Sequence, residues 1–345
     1  MFPLLPENGH VPDPEALDAV IARYSRFAAE EAPGRSELYG AWARQVAADP
    51  ALTATVAAIP AGHRQPPLVF AVMRMLGAPE TEGPTWRDWV LGHAAELSAT
   101  SAGRSIQTNE PLRCAALMPA LTAFEGPIAL LEVGASAGLC LYPDRYSYAY
   151  TTDDGRVHRL DPRTGPSRVL LESAWRGPVP PPSRLPEVVW RAGVDLAPLD
   201  PTDPDTRSWL LGLVWPGETG RAERIGAALD IAAADPPVLR RGDAASDAVA
   251  RLAALAPSEA TLVVTTPGVL VYVPRGLRAD AVTAARSAGR WVTLDAPATH
   301  EGWTTPVTAR PDGAFALAVD GAVTAWADPL GRFVEWLPGS APSAG

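Results

Sequence analysis

Residues 134–138 read Gly-Ala-Ser-Ala-Gly, a pattern that two kinds of chemistry use. As G-x-S-x-G it is the nucleophile elbow of α/β-hydrolases, in which a strained strand-to-helix turn exposes a serine hydroxyl. As a glycine-rich turn it is also a means of bringing a cofactor close to backbone. In the first reading Ser136 is a nucleophile. In the second, Gly134, Ser136 and Gly138 are small so that a ligand can approach.

The elements that must position this turn separate the two readings. From Asp13 to Phe124 the chain reads as helices. Asp13-Pro14-Glu15 is a start signal, and Leu17, Val20, Ile21, Tyr24 and Phe27 recur at helical spacing. Further helical stretches surround Trp42, residues 66–76 and Trp86, and a last one covers Pro111 to Phe124. At Gly126-Pro127 the pattern changes to "IALLEV", a continuous apolar run expected of a buried parallel strand. Strand and helix patterns then alternate to about Ala296. An inserted hairpin is expected about Asp154-Gly155 and a terminal one about Asp320-Gly321. We therefore expect an α/β, Rossmann-like doubly wound sheet, preceded by a helical N-terminal region and ending in a β-hairpin. The expected divisions are a helical region at 1–126, a cofactor-binding domain at 127–338 and a disordered tail at 339–345.

In a hydrolase the elbow follows several earlier strands. Here "LLEV" is the first strand, which favours a cofactor loop. With Glu132 in front, the stretch has the form of the E-x-G-x-(G/S)-x-G loop with which methyltransferases hold S-adenosylmethionine or S-adenosylhomocysteine. Glu132 would anchor the loop or accept from the methionine part. Asp195 and Asp243 end the next two strands of the alternating series, and in that fold these places hold the ribose hydroxyls and the adenine amino group. Asp195 lies further along the chain than the usual twenty residues. The hairpin insertion accounts for the gap, or else Asp153 or Asp154 takes the ribose. The hydrolase alternative has Ser136, Asp243 and His300 in triad order. A third alternative is a non-catalytic scaffold or regulator of methyltransferase type.

The stretches "SIQTNEPLRCAALMPAL", "LLEVGASAGLCLYPDRYSYAY", "WRAGVDLAPLDPTD", "LVWP" and "AADPPVLRRGDA" together resemble a bacterial family, domain of unknown function 2332. The resemblance covers nearly the whole chain and implies a methyltransferase-type core behind a helical region. It implies no activity. In the family pattern an asparagine stands where this chain has Cys140, and histidines stand near Thr266 and at Leu330. The chain therefore lacks two acid–base groups of that pattern.

The polar run Arg104, Gln107, Thr108, Asn109, Glu110 and Arg113 precedes the last helix of the first region. Asn109 and Glu110 are read both as a helix cap and as ligands for a substrate or cofactor over the loop. Thr266 and Tyr272, both along the fourth core strand, are candidate substrate contacts. His93 is read as a core histidine on an apolar helical stripe, and His10, His63 and His158 have no partners at metal-ligand spacing, so no metal is expected. A formal charge of −10 argues against a nucleic-acid groove, which leaves a small molecule as the expected partner. The start of the chain lacks the features of a signal peptide. The apolar run Thr261 to Pro274 is too short to span a bilayer, and two cysteines give no disulfide framework, so a cytoplasmic protein is expected.

Overall fold

The computed structural model describes residues 13–107, 109–310 and 312–337. The expected tail at 339–345 lies outside the described residues. Two compact units are present: residues up to Gln107 with Ser208–Ala222, and Thr108–Arg207 with Glu223–Gly345.

The first unit is helical. Helix α1 (Pro14–Arg26) begins at Asp13, whose carboxylate accepts from Glu15 N. Ser36 caps α2 (Glu37–Ala48) by accepting from Tyr39 N at 3.2 Å. Then come α3 (Pro50–Ala57), α4 (Pro66–Met75), α5 (Pro84–Gly92) and α6 (Ala94–Ala102). Four of these six begin on a proline preceded by a polar or glycine cap, where the missing N–H costs nothing. The core is aromatic: Trp42 stacks on Trp86 at 5.0 Å, and Tyr39, Phe70 and Phe27 pack around them. Trp215 joins the same core, with the Arg35 guanidinium 3.7 Å from its ring centre and paired to Glu218 at 2.8 Å. The unit thus recruits a segment from late in the chain. By contact, the division in this part of the chain falls after Gln107.

The second unit contains α7 (Arg113–Leu121), α8 (Pro204–Gly212), α9 (Arg221–Ala234), α10 (Ala248–Ala253) and α11 (Arg278–Ala288), with α8 and α9 running across the unit boundaries. Its strands are β1 (Pro127–Val133), β2 (Ser147–Thr152), β3 (Val157–Leu160), β4 (Leu170–Arg176), β5 (Glu187–Asp195) and β6 (Val238–Arg241). They continue with β7 (Thr261–Pro267), β8 (Arg290–Asp295), β9 (Phe315–Val319), β10 (Ala322–Ala327) and β11 (Phe333–Trp336). All lie in one mixed sheet in the order β3-β2-β4-β11-β10-β9-β8-β7-β1-β5-β6. The run β6-β5-β1-β7-β8 is parallel throughout. From β5 the chain moves outward to β6, then returns to the other side of β1 to form β7 and β8. A reversal of this kind opens a crevice at the carboxyl ends of the strands.

The α/β class and the helical first region are as expected from the sequence. Four details differ. The glycine turn does not lead into a helix; a short 3-10 turn, Leu139–Leu141, follows, and Pro143 lies just beyond it. The expected hairpin is present as β2 and β3, but β4 joins it in parallel and all three lie at the far edge from β5 and β6. The terminal hairpin β9-β10 gains a third strand, β11, which pairs with β4 and so joins the two halves of the sheet. Helix α7, read with the helical region, packs instead on β4, β8, β9 and β11.

Candidate functional site

The Gly134–Gly138 turn leaves the end of β1 with three left-handed residues: Gly134 at φ +76°, Ser136 at +51° and Gly138 at +75°. At Gly134 a β-carbon would lie 2.3 Å from Val269, and at Gly138 it would lie 2.9 Å from Pro237. The small residues are therefore required by protein packing against the turn. Every amide of the turn has a protein partner. Gly134 N and Ala135 N donate to Val194 O at 2.7 and 3.3 Å, and Gly138 N to Ala135 O at 2.6 Å. Ser136 N donates to Asp195 Oδ2 at 2.8 Å and Ala137 N to Asn109 Oδ1 at 3.2 Å. The Asn109 amide also donates to Ser136 Oγ. Both ends of the Asn109 side chain thus clamp the turn, and no loop N–H remains to cradle an anion.

Asp195 sits where the alternation placed it, at the end of the strand beside β1. Its second oxygen accepts from Ala197 N at 2.8 Å, so the carboxylate fixes two loops through backbone amides. Asp243 follows the adjacent strand, where Gly242 N donates to Asp195 O at 2.9 Å. Asp243 Oδ1 accepts from Ala245 N at 2.7 Å. Both carboxylates remain partly exposed, and Leu196 beside them is 66% exposed. Asp153 and Asp154, the other ribose candidates, lie in the β2-β3 turn at the far edge of the sheet. The offset between Ser136 and Asp195 consists of the β2-β3-β4 excursion.

Glu132 is 4% exposed on β1, and its Oε2 is buried without a hydrogen-bond partner. Burial pushes its carboxyl well above the usual carboxylate range, Cys140 and Asp195 add to this, and Arg113 opposes it. Sequence reasoning missed a second such group, Asp295, at the end of β8. It is 1% exposed, with Oδ2 accepting from Thr293 Oγ1 at 2.6 Å and Oδ1 unpartnered. Burial pushes it up to about 7 against the pull of the Thr293 bond and Arg113. The signal was available: an aspartate ending a strand pattern, as at Asp195. Arg113 donates to Pro267 O and Pro329 O at 2.9 and 3.0 Å, holding the end of β7 to the loop before β11.

The other expected residues have structural partners. Glu110, 1% exposed, accepts from Leu112 N and from Arg224 Nε, both at 3.0 Å, which braces the turn into α7. Thr266 is buried and accepts from Trp291 Nε1 at 2.9 Å, so it is a core residue. Tyr272 stands 71% exposed on a 3-10 turn. The residues of the hydrolase alternative are not assembled as a triad. Ser136 Oγ is held by Asn109, Asp243 by Ala245 N, and His300 Nδ1 by Gly302 N at 3.0 Å. The turn thus supplies Ser136 with no general base. In the tyrosine-rich stretch after it, Tyr146, Tyr148 and Tyr150 donate to Leu139 O, Pro143 O and Ala115 O at 2.6, 2.6 and 2.8 Å. That stretch is accounted for by packing.

Among the described residues no group of three or more His, Cys, Asp or Glu is placed to hold a metal, and no helix is long and apolar enough to cross a membrane. No curated protein and no solved structure matches the chain. One family does, over residues 21–336, described as uncharacterized proteins conserved in bacteria. With nearly the whole length matched, the chain belongs to that family, domain of unknown function 2332.

Proposed function

We propose that this chain is a methyltransferase-like, Rossmann-type protein that holds the nucleoside part of S-adenosylmethionine or S-adenosylhomocysteine at the ends of β5 and β6. The observation that carries this is the pairing of Asp195 and Asp243, two partly exposed carboxylates on neighbouring strand ends beside the chain reversal at β1. Each carboxylate oxygen has two acceptor sites, so Asp195 retains capacity for ribose hydroxyls while holding Ser136 N and Ala197 N. Asp243 Oδ2 is open for an amino group. The exposed Leu196 side chain offers the base an apolar face.

The fit does not extend to the methionine end. A methionine carboxylate needs backbone or cationic donors, and all five amides of the turn are already taken. Glu132 is sealed behind it. Recognition of the nucleoside without a grip on the methionine suits a ligand-binding scaffold or regulator better than a methyl donor site. The partner under this reading is a small molecule and the location cytoplasmic.

Calorimetric titration with adenosine tests the assignment. Asp243→Ala removes an acceptor to the base and should weaken binding by about tenfold to a hundredfold, with the circular dichroism spectrum unchanged. An Asp243→Ala protein that binds adenosine as tightly as wild type contradicts it.

A further inference from the structure

A second site, away from the strand ends of β5 and β6, lies between α11 and the loop that follows β8. A cavity of about 600 Å³ opens there, lined by Arg275, Arg278, Arg286, His300 and Glu301 with the Thr283 and Ser287 side of the helix.

The loop that forms its wall is fixed by its own chemistry. Thr299 N donates to Ala296 O at 2.9 Å, Trp303 Nε1 donates to Pro297 O at 2.9 Å, and Thr304 N donates to Gly321 O at 2.8 Å. Arg278 ties the loop to the helix through Thr299 O at 2.9 Å. At Gly302 a β-carbon would lie 2.9 Å from Val282 of α11, so only glycine lets the loop approach this closely.

His300 is held inside this frame with one nitrogen left over. It is 7% exposed, its ring centre lies 4.0 Å from that of Trp303 and 5.4 Å from that of Trp291, and Nδ1 accepts from Gly302 N at 3.0 Å. An imidazole nitrogen that accepts from a backbone amide carries no proton, so in the neutral ring the proton is on Nε2. Burial, with the Arg278 charge nearby, holds the ring neutral by lowering its pKa to about 4. Nε2–H is therefore a buried donor, and it has no partner among the described residues. Buried donors are nearly always satisfied, and His300 is among the residues that line the cavity, so an acceptor bound there meets this donor once the ring turns toward it.

The charge around it specifies the acceptor. Arg278 donates to the carbonyls of Val273, Thr299 and Val271, so its position is fixed; the buried Asp295 feels its charge from a distance. Arg275 and Arg286 are exposed cations. Against these three arginines stands one lining carboxylate, Glu301, which leaves a lining charge of +2 with His300 neutral. Guanidinium groups match the oxygens of phosphate in geometry. The geometry points to a binding site for the dianionic phosphate of a small phosphorylated molecule, with His300 Nε2 donating to a phosphate oxygen and Arg275 and Arg286 closing over the others.

The test is titration of the full chain with inorganic phosphate at constant ionic strength, followed by calorimetry and by the fluorescence of Trp303, whose ring lies against His300. Saturable one-to-one binding is expected, with acetate and chloride binding at least tenfold more weakly. His300→Phe keeps the aromatic packing and removes the donor, and should weaken phosphate binding about tenfold or more. Arg275→Gln/Arg286→Gln changes only exposed side chains, so it reports even where His300→Phe fails to fold, and the same loss is expected of it. Absence of saturable binding, acetate binding as tightly as phosphate, or wild-type affinity in the folded arginine double variant overturns the proposal.

Discussion

The carboxylate of Asp195 accepts the backbone N–H of Ser136 at 2.8 Å across 59 residues of sequence. A residue at the end of β5 therefore holds in place the one non-glycine residue of the β1 turn that sits at positive φ. A left-handed serine costs about 1–2 kcal/mol relative to an ordinary conformation, so it persists because its surroundings determine it. Asp195→Ala leaves the Ser136 and Ala197 amides without their acceptor, at about 1–3 kcal/mol for each donor that stays buried. Urea denaturation should show a clear drop in midpoint. Asp243→Ala, which loses only the turn bond to Ala245 N, should fall within about 1 kcal/mol of wild type. Equal effects of the two substitutions would remove the distinction between a loop anchor and a ligand carboxylate.

Asn109 is the second clamp. It is 5% exposed and satisfies Ala137 N with its oxygen and Ser136 Oγ with its amide. Asn109→Ala strands a buried N–H and leaves a hole, and should cost about 2–4 kcal/mol. Faster hydrogen exchange at Ser136 and Ala137, with the strands still protected, is the expected local sign. Unchanged exchange there contradicts the clamp.

The fold was legible where information is local. Residues 128–133 form a strand because they are apolar apart from Glu132, and Asp13-Pro14 starts a helix because its cap and proline are adjacent. The partners were not legible. The reason for Gly134 is Val269, which stands far along the chain and becomes a neighbour only through the β1-β7 pairing. Strand β4 alternates buried with exposed or half-buried positions between Gly165-Pro166 and Gly177-Pro178, but nothing local marks its parallel pairing with β2 and β11. Of the candidate residues, Asn109, Ser136, Gly134, Gly138 and Asp195 do come together, but as a self-satisfied knot. Types and spacing singled out residues that meet in the fold, whereas the hydrogen bonds among them depend on tertiary contacts.

Packing at Gly134 gives a further test. Gly134→Ala places a β-carbon into Val269 Cγ2 at positive φ, and should cost about 2–4 kcal/mol from strain and overlap together. Adding Val269→Ala should recover part of that loss, which a double-mutant cycle would read as a coupling of about 1 kcal/mol or more. Strict additivity would show that only the backbone strain matters.

Asp295 sets a pH dependence. Its folded pKa is raised from 3.8 to about 7, so the folded state keeps a proton that the unfolded state has lost. Its contribution is unpenalised below about 4 and falls by about 1.4 kcal/mol per pH unit until the folded group ionises near 7. Asp295→Asn removes that penalty while leaving an oxygen for the Thr293 hydroxyl. Relative to wild type it should gain stability steadily as pH rises from 4 to 7 and hold a constant advantage above. A difference independent of pH contradicts the raised pKa.

The most direct test of a nucleoside grip without a methionine grip is a calorimetric comparison of adenosine, S-adenosylhomocysteine and S-adenosylmethionine on the wild-type protein. Because no amide of the Gly134–Gly138 turn is available, the three affinities should agree within about threefold, or about 0.7 kcal/mol. S-adenosylmethionine or S-adenosylhomocysteine binding a hundredfold tighter than adenosine, or no heat from any of the three, would contradict the account.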